Sequence, residues 1–174
     1  MKRFVFFAAL LSVSVFSWGC AKKADPEKIK AAAKELDEKF VAAFNNEDIN
    51  GVLDCYWNSP EVTFYPPGAM ERKGYEAIKA EFEEFFAENE IKGIELTNTS
   101  EMALGDYGFS MGNFSITLGT PDGMGTKLEG RFTSVIAMKD GKWVYIIDHA
   151  SAPLPPPPTM EEMQMMMKQM MEKK

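Results

Sequence analysis

Residues 130–151, GRFTSVIAMKDGKWVYIIDHAS, constrain this chain more than any other stretch. They read as two long β-strands joined by Asp140-Gly141, a dipeptide suited to the type I′ turn, in which both central residues take positive φ. A two-residue turn pairs Lys139 with Lys142 and sets the register beyond them, because side chains alternate between faces along each strand. A regular ladder then puts Phe132, Ser134, Ile136 and Met138 opposite His149, Ile147, Tyr145 and Trp143 on one face. The other face carries Arg131, Thr133, Val135 and Ala137 opposite Ala150, Asp148, Ile146 and Val144. Neither face is cleanly polar, so both are expected to be covered, one by helices and the other by a partner sheet or subunit. The polar groups Arg131, Thr133, Asp148, His149 and Ser151 gather at the end away from the turn. An apolar wall with a few convergent polar groups is how a small-molecule pocket is lined.

Helices precede this hairpin. Asp25-Pro26-Glu27 is a helix start, with Asp as N-cap and Pro in the first turn. Ile29, Ala32, Ala33, Leu36, Phe40, Ala43 and Phe44 recur at helical spacing up to Asn45-Asn46. A short second helix over 48–56 buries Ile49, Val52 and Leu53. A strand at 62–65 is stopped by Pro66-Pro67-Gly68, and 71–74 forms a brief return. Tyr75, Ile78, Phe82, Phe85 and Phe86 mark a third helix with an aromatic face, Glu81, Glu83, Glu84 and Glu88 forming its solvated side. Strands are expected over 93–102, 107–118, 126–139 and 142–151, with Gly108 and Gly112 as candidate bulges. Helices first and antiparallel strands after define an α+β class, with three N-terminal helices on one face of a curved, mainly antiparallel sheet.

The 174 residues carry 19 basic and 26 acidic side chains, and no basic stripe, which argues against nucleic-acid binding. Residues 1–19 have the form of a secretion leader: Lys2-Arg3, an apolar run from Phe4 to Phe16, then Ser17-Trp18-Gly19 before Cys20. Ending at Gly-Cys, the leader resembles a bacterial lipoprotein signal, which implies lipid on Cys20, a tether over 20–25 and a periplasm-facing place in the cell envelope. The alternative is a plain periplasmic signal with a nearby cysteine, which leaves a Cys20–Cys55 disulfide open. Cys55 itself lies in an apolar helical segment, as a small core residue does.

Three strings, taken in order, carry a family resemblance: Trp57 to Gly68 (WNSPEVTFYPPG), the Gly74-Tyr75-Glu76-Ala77-Ile78 entry to the third helix, and Arg131 to Ser151 with its R-x-T, DGKW and DH-x-S elements. Residues 26–153 resemble the NTF2-like superfamily, and within it the SnoaL-like or DUF4440 group, often called ketosteroid-isomerase-like. The resemblance implies a cone whose open end is a pocket between helices and sheet, and a homodimer formed through the outer sheet face. In the steroid isomerases the general base is an aspartate at the end of the strand before the third helix. The matching positions here are Tyr65-Pro66, neither of which abstracts a proton at neutral pH, so that reaction is not implied.

The candidate pocket combines Trp57, Phe64, Tyr65, Phe82, Phe86 and Trp143 with the polar Arg131, Thr133, Asp148, His149 and Ser151. His149, the only histidine, is the candidate acid–base group, but one histidine cannot make a multi-histidine metal site. Ser151 lies two residues along the same strand, about 6–7 Å away, too far for a nucleophile–base hydrogen bond. Arg131 and Asp148, diagonal neighbours in the regular ladder, form either a structural ion pair or a carboxylate-binding site. Three readings follow. The first is a small apolar or amphipathic ligand in a cavity of about 300 Å³ or more, without evident catalysis or cofactor. The second is a cofactor-independent isomerase or hydratase using His149 or a pocket acid. The third rests on the segment 154–174, a proline-rich spacer and a helix with seven methionines in its last fifteen residues. That helix either contacts a partner or binds Cu(I) through soft thioethers such as Met163, Met167 and Met170.

Overall fold

A computed structural model describes residues 25–120, 123, 125–153 and 159–172. The leader, the tether up to residue 24, Cys20 and the spacer 154–158 lie outside the described residues. Helix α1 spans Pro26–Asn45 and starts as its sequence dictates, the Asp25 carboxylate accepting from the Glu27 amide at 3.1 Å. Helix α2 spans Ile49–Leu53, capped by Asp48 through the Gly51 amide at 3.0 Å. The short strands β1 (Thr63–Tyr65) and β2 (Arg72–Lys73) precede α3 (Tyr75–Glu88). Four long strands follow: β3 (Ile91–Leu104), β4 (Tyr107–Leu118), β5 (Thr126–Lys139) and β6 (Lys142–Ser151). Helix α4 covers Met160–Glu172.

The strands form one sheet in the order β2-β1-β6-β5-β4-β3, antiparallel except where β1 runs parallel to β6. Helices α1 and α3 pack on its concave face. Ile29, Ile78 and Ile136, all fully buried, come from α1, α3 and β5. Each contributes about 1.5–3 kcal/mol by leaving water. This is the α+β cone expected from the order of elements.

The hairpin turn is as expected, with φ of 51° at Asp140 and 80° at Gly141, and Lys139 pairs with Lys142. The regular ladder is not. Ile136 pairs with Tyr145, but Val135 pairs with Ile147, leaving Ile146 as an extra residue. Beyond this bulge the two strands are offset by one, which turns every later β6 side chain to the other face. Asp148 therefore pairs with Ser134 and turns inward, while His149 pairs with Thr133 and turns outward.

The bulge expected in β4 lies elsewhere too. β4 pairs with β5 without interruption, and the irregularities fall in β3, between Ile91 and Gly93 and between Thr97 and Ser100, the latter opposite Gly112. Gly108 and Gly112 serve close packing instead. A Cβ on Gly108 would lie 2.7 Å from Ile136 Cγ1, and one on Gly112 2.9 Å from the Thr97 carbonyl oxygen.

Candidate functional site

Between α1, α3 and the concave sheet lies a cavity of about 150 Å³. Its apolar wall is largely aromatic: Phe40 and Phe44 from α1, Phe64 from β1, Phe82 and Phe85 from α3, Phe114 from β4 and Phe132 from β5. Phe64 and Phe82 stack with centroids 5.5 Å apart, and Phe40 sits edge-on to Tyr145 at 6.0 Å. These rings fill much of the cone, so the expectation of about 300 Å³ or more, the size that encloses a drug-sized ligand, is not met.

One side of the cavity is polar, with Asp37, Ser134, Tyr145 and Asp148 exposed to it. The sheet register explains the grouping. Ser110, Ser134 and Asp148 are successive partners across β4, β5 and β6, and Asp37 on α1 reaches the same row from the helical layer. Ser134 Oγ donates to Asp148 Oδ1 at 2.7 Å, and the Tyr56 hydroxyl donates to Asp148 Oδ2 at 2.6 Å. Asp37 is held the same way, its Oδ1 accepting from the Tyr145 hydroxyl at 2.7 Å and its Oδ2 from Ser110 Oγ. Each carboxyl group thus receives two hydroxyls, and among the described residues no buried side-chain nitrogen or oxygen lacks a partner.

Burial dominates the electrostatics. It pushes the Asp37 carboxyl from its ordinary 3.8 up to about 6, against the lowering effect of the Ser110 and Tyr145 hydrogen bonds. The charges of Asp148 and Glu101 push in the same direction as burial. Asp148 is likewise raised by burial, opposed by Tyr56, Ser134 and the His149 amide. Burial and the adjacent carboxyl groups hold Tyr56 and Tyr145 well above the usual phenol range, so both remain donors near neutral pH. An acid poised at about 6 in an apolar cavity is suited to exchanging a proton with whatever occupies that cavity. Asp37 also borders an open groove of about 570 Å³ between α1 and β3, so its carboxyl lies between two hollows.

Of the residues expected to line the pocket, the structure places Phe64, Phe82 and Asp148 on the cavity wall. Trp57, Phe86 and Trp143 pack on the core outside that wall, and the Lys139 ammonium lies 4.3 Å from the Trp57 ring centre. Arg131, Thr133, Tyr65 and His149 are exposed, and Ser151 is half-buried opposite Arg131. The His149 ring stands edge-on to Tyr65, its β1 partner, at 6.0 Å. The bulge at Ile146 is the cause: it removes His149 from the interior and separates Asp148 from Arg131, so the diagonal Arg131–Asp148 pair does not form. Glu81 also departs from the expected solvated side of α3. It lines the cavity and accepts from Arg72 Nε at 2.6 Å.

Asp37 was not singled out in the sequence, although a signal was present. Ala33, Asp37, Phe40 and Phe44 follow the i, i+4, i+7, i+11 stripe of a buried helix face, and a carboxylate on that stripe needs partners. Ser110 sits in the same way on the inward series of β4.

Residues 38–146 match the family model for the SnoaL-like domain. No curated protein matches. Among solved structures, the chain is similar to a candidate calcium/calmodulin-dependent protein kinase II association domain from Xanthomonas campestris. That match has 25% identity and a TM-score of 0.61, over 72% of this chain and 87% of that one. A candidate dehydratase of the NTF2-like family from Streptomyces avermitilis matches at 16% identity and TM-score 0.66, over 75% of this chain and all of that one. An NTF2-like superfamily protein from Salmonella enterica matches at 16% identity and TM-score 0.65, over 77% and 97% of the two chains.

Proposed function

The chain belongs to the SnoaL-like domain family, and from that premise we propose that its cone pocket binds one small apolar or amphipathic molecule about the size of a single ring. The observation that carries this reading is the aromatic cavity of about 150 Å³ with Asp37 and Asp148 on one side. A dry apolar cavity of about that size holds benzene. The ligand's polar group would face the two carboxyls, and a neutral donor such as a hydroxyl fits there better than an anion. Benzene, phenol and benzoate distinguish these cases by ligand-observed NMR and thermal shift at pH 7. Phenol should bind more tightly than benzene, and benzoate should be excluded. Failure of both neutral probes to bind at millimolar concentration would end this reading.

A second reading, a cofactor-independent isomerase or dehydratase, is favoured by one observation: a titratable acid at about 6 facing the cavity. Asp37 then takes the place given to His149 in the sequence reading. Its carboxylate would accept a proton from an acidic C–H of the bound molecule and return it elsewhere on the same molecule. Solvent deuterium incorporation into a bound ketone, lost in Asp37→Asn, would test it.

With the ligand-binding reading goes a placement in the bacterial envelope, anchored by lipid on Cys20 and facing the periplasm. The pattern of residues 1–20 supports this, and the intact mass of the purified chain would test it. A homodimer through the outer sheet face is supported by one lateral row, Met102, Phe109, Val135 and Ile147, across β3, β4, β5 and β6. Met102 and Ile147 in that row are 51% and 42% exposed.

A further inference from the structure

The pocket leaves one feature of the chain unused, the helix α4. Six of its methionines are exposed, from 39% at Met163 to 73% at Met171. Residues 159–174 hold seven methionines and no Leu, Ile, Val or Phe, whereas the remainder of the chain builds its core from those four with few methionines. A helix selected only for an apolar face would draw on Leu and Ile as readily, since Leu is as good a helix former as Met and buries more rigidly. What methionine supplies beyond these is a flexible, unbranched side chain that carries a thioether sulfur.

The positions fit that use. At about 100° and 1.5 Å per residue, Met160, Met163, Met167, Met170 and Met171 fall within a sector of about 100°. Lys168 and Met165 lie outside it. Met163 and Met167 are i, i+4 neighbours, and Met167 and Met170 are i, i+3 neighbours, with Cβ atoms about 5–6 Å apart. Each neighbouring pair of flexible thioethers can share one ion, and Met167, common to both pairs, keeps that ion within reach of Met163 or Met170 in turn. Neutral thioethers are soft donors that select Cu(I) over Zn(II), Mg(II) or Ca(II). Elsewhere, among the described residues, no group of three or more His, Cys, Asp or Glu side chains could hold a metal, and Cys55 is buried, its thiol donating to the Gly51 carbonyl oxygen.

We propose that Met163, Met167 and Met170 form a site for a soft monovalent cation, Cu(I). Its ligands carry no proton to lose, unlike the thiol or imidazolium of other sites, so binding releases none.

The test is anaerobic competition with a coloured Cu(I) chelator, using the full chain carrying Cys20→Ser, which leaves Cys55 as the one thiol of the sequence. Ag(I) serves as a redox-inert check. One Cu(I) per chain is expected, with an affinity that stays constant from about pH 5 to about pH 8. Replacing all three with leucine (M163L/M167L/M170L) keeps the helix and its apolar face, verified by circular dichroism, yet should weaken Cu(I) binding at least about tenfold. Wild-type affinity in that variant would overturn the proposal, as would no Cu(I) binding by the parent chain. An affinity falling steeply with acidity would assign the ion to titratable ligands instead and overturn it equally.

Discussion

Ser134 and Asp148 stand opposite each other on β5 and β6, and the serine hydroxyl donates to the aspartate at 2.7 Å. Regular pairing from the Asp140-Gly141 turn would set Asp148 against Thr133 on the other face. The single unpaired residue Ile146 moves Asp148 into the cavity and His149 out of it. Deleting Ile146 should therefore close the ladder into regular pairing with Val135–Ile147 and Ser134–Asp148 kept and Asp148 still facing inward. The Tyr56 and Ser134 hydroxyls would keep their acceptor, whose loss would cost about 1–3 kcal/mol for each unsatisfied group. Urea unfolding of the deletion variant should show a loss of no more than about 2 kcal/mol, from the half-buried Ile146 side chain. A loss of about 4 kcal/mol or more, on the order of both hydroxyls left unsatisfied, would mean that Asp148 does not keep its inward place without the bulge.

The Tyr56–Asp148 contact is open to a double-mutant cycle. Tyr56→Phe removes a donor from a buried carboxyl, and Asp148→Asn alters the same bond from the other side. Each single change should destabilise by about 1–3 kcal/mol. The double variant should lose less than the sum, because both changes delete one interaction. Additive losses would show that the two groups do not act as a pair.

Asp37 gives a pH dependence of definite sign. Its carboxyl titrates near 3.8 when unfolded and at about 6 when folded. Between those values the folded chain holds more protons than the unfolded one, so stability is fully present below the lower value and falls as pH rises through the upper one. A shift of this size corresponds to about 3 kcal/mol. Asp37→Asn lacks that dependence. Its stability relative to the parent should improve by up to about 3 kcal/mol between pH 4 and pH 7, read from urea midpoints. A difference that stays flat across this range would show that Asp37 is not raised.

The elements themselves were legible because their signals are local: the Asp25-Pro26 cap, the Pro66-Pro67-Gly68 stop and the Asp140-Gly141 turn each act within a few residues. The candidate site depended on relations that are not local. Alternation along β6 held up to Tyr145 and failed at Ile146, and nothing in VYIIDHAS announces which residue bulges. Asp37 becomes a site residue only because Ser110 and Tyr145, 73 and 108 positions away, arrive as its donors. Asp37, Ser110 and Ser134 each lie on an inward stripe of the sequence, but their convergence with Asp148 belongs to the bulge in β6 and to the packing of α1 on the sheet.

Cavity size is set by aromatic side chains, and Phe85 is the one to remove first. It lines the cavity yet is only half-buried, with ring centroids 5.9 Å from Phe44 and 6.1 Å from Phe86. Truncating a buried phenylalanine costs about 3–5 kcal/mol, and a half-buried one falls at or below the lower end. Phe85→Ala should therefore fold, with a lower melting temperature and a larger cavity. Naphthalene, too large for about 150 Å³, should bind this variant and not the parent, while phenol should bind both. If the parent takes naphthalene as readily, the aromatic wall yields to ligands and its resting volume does not set ligand size. If neither chain takes it, the limit lies with the rings of Phe64 and Phe82, stacked 5.5 Å apart across from α1.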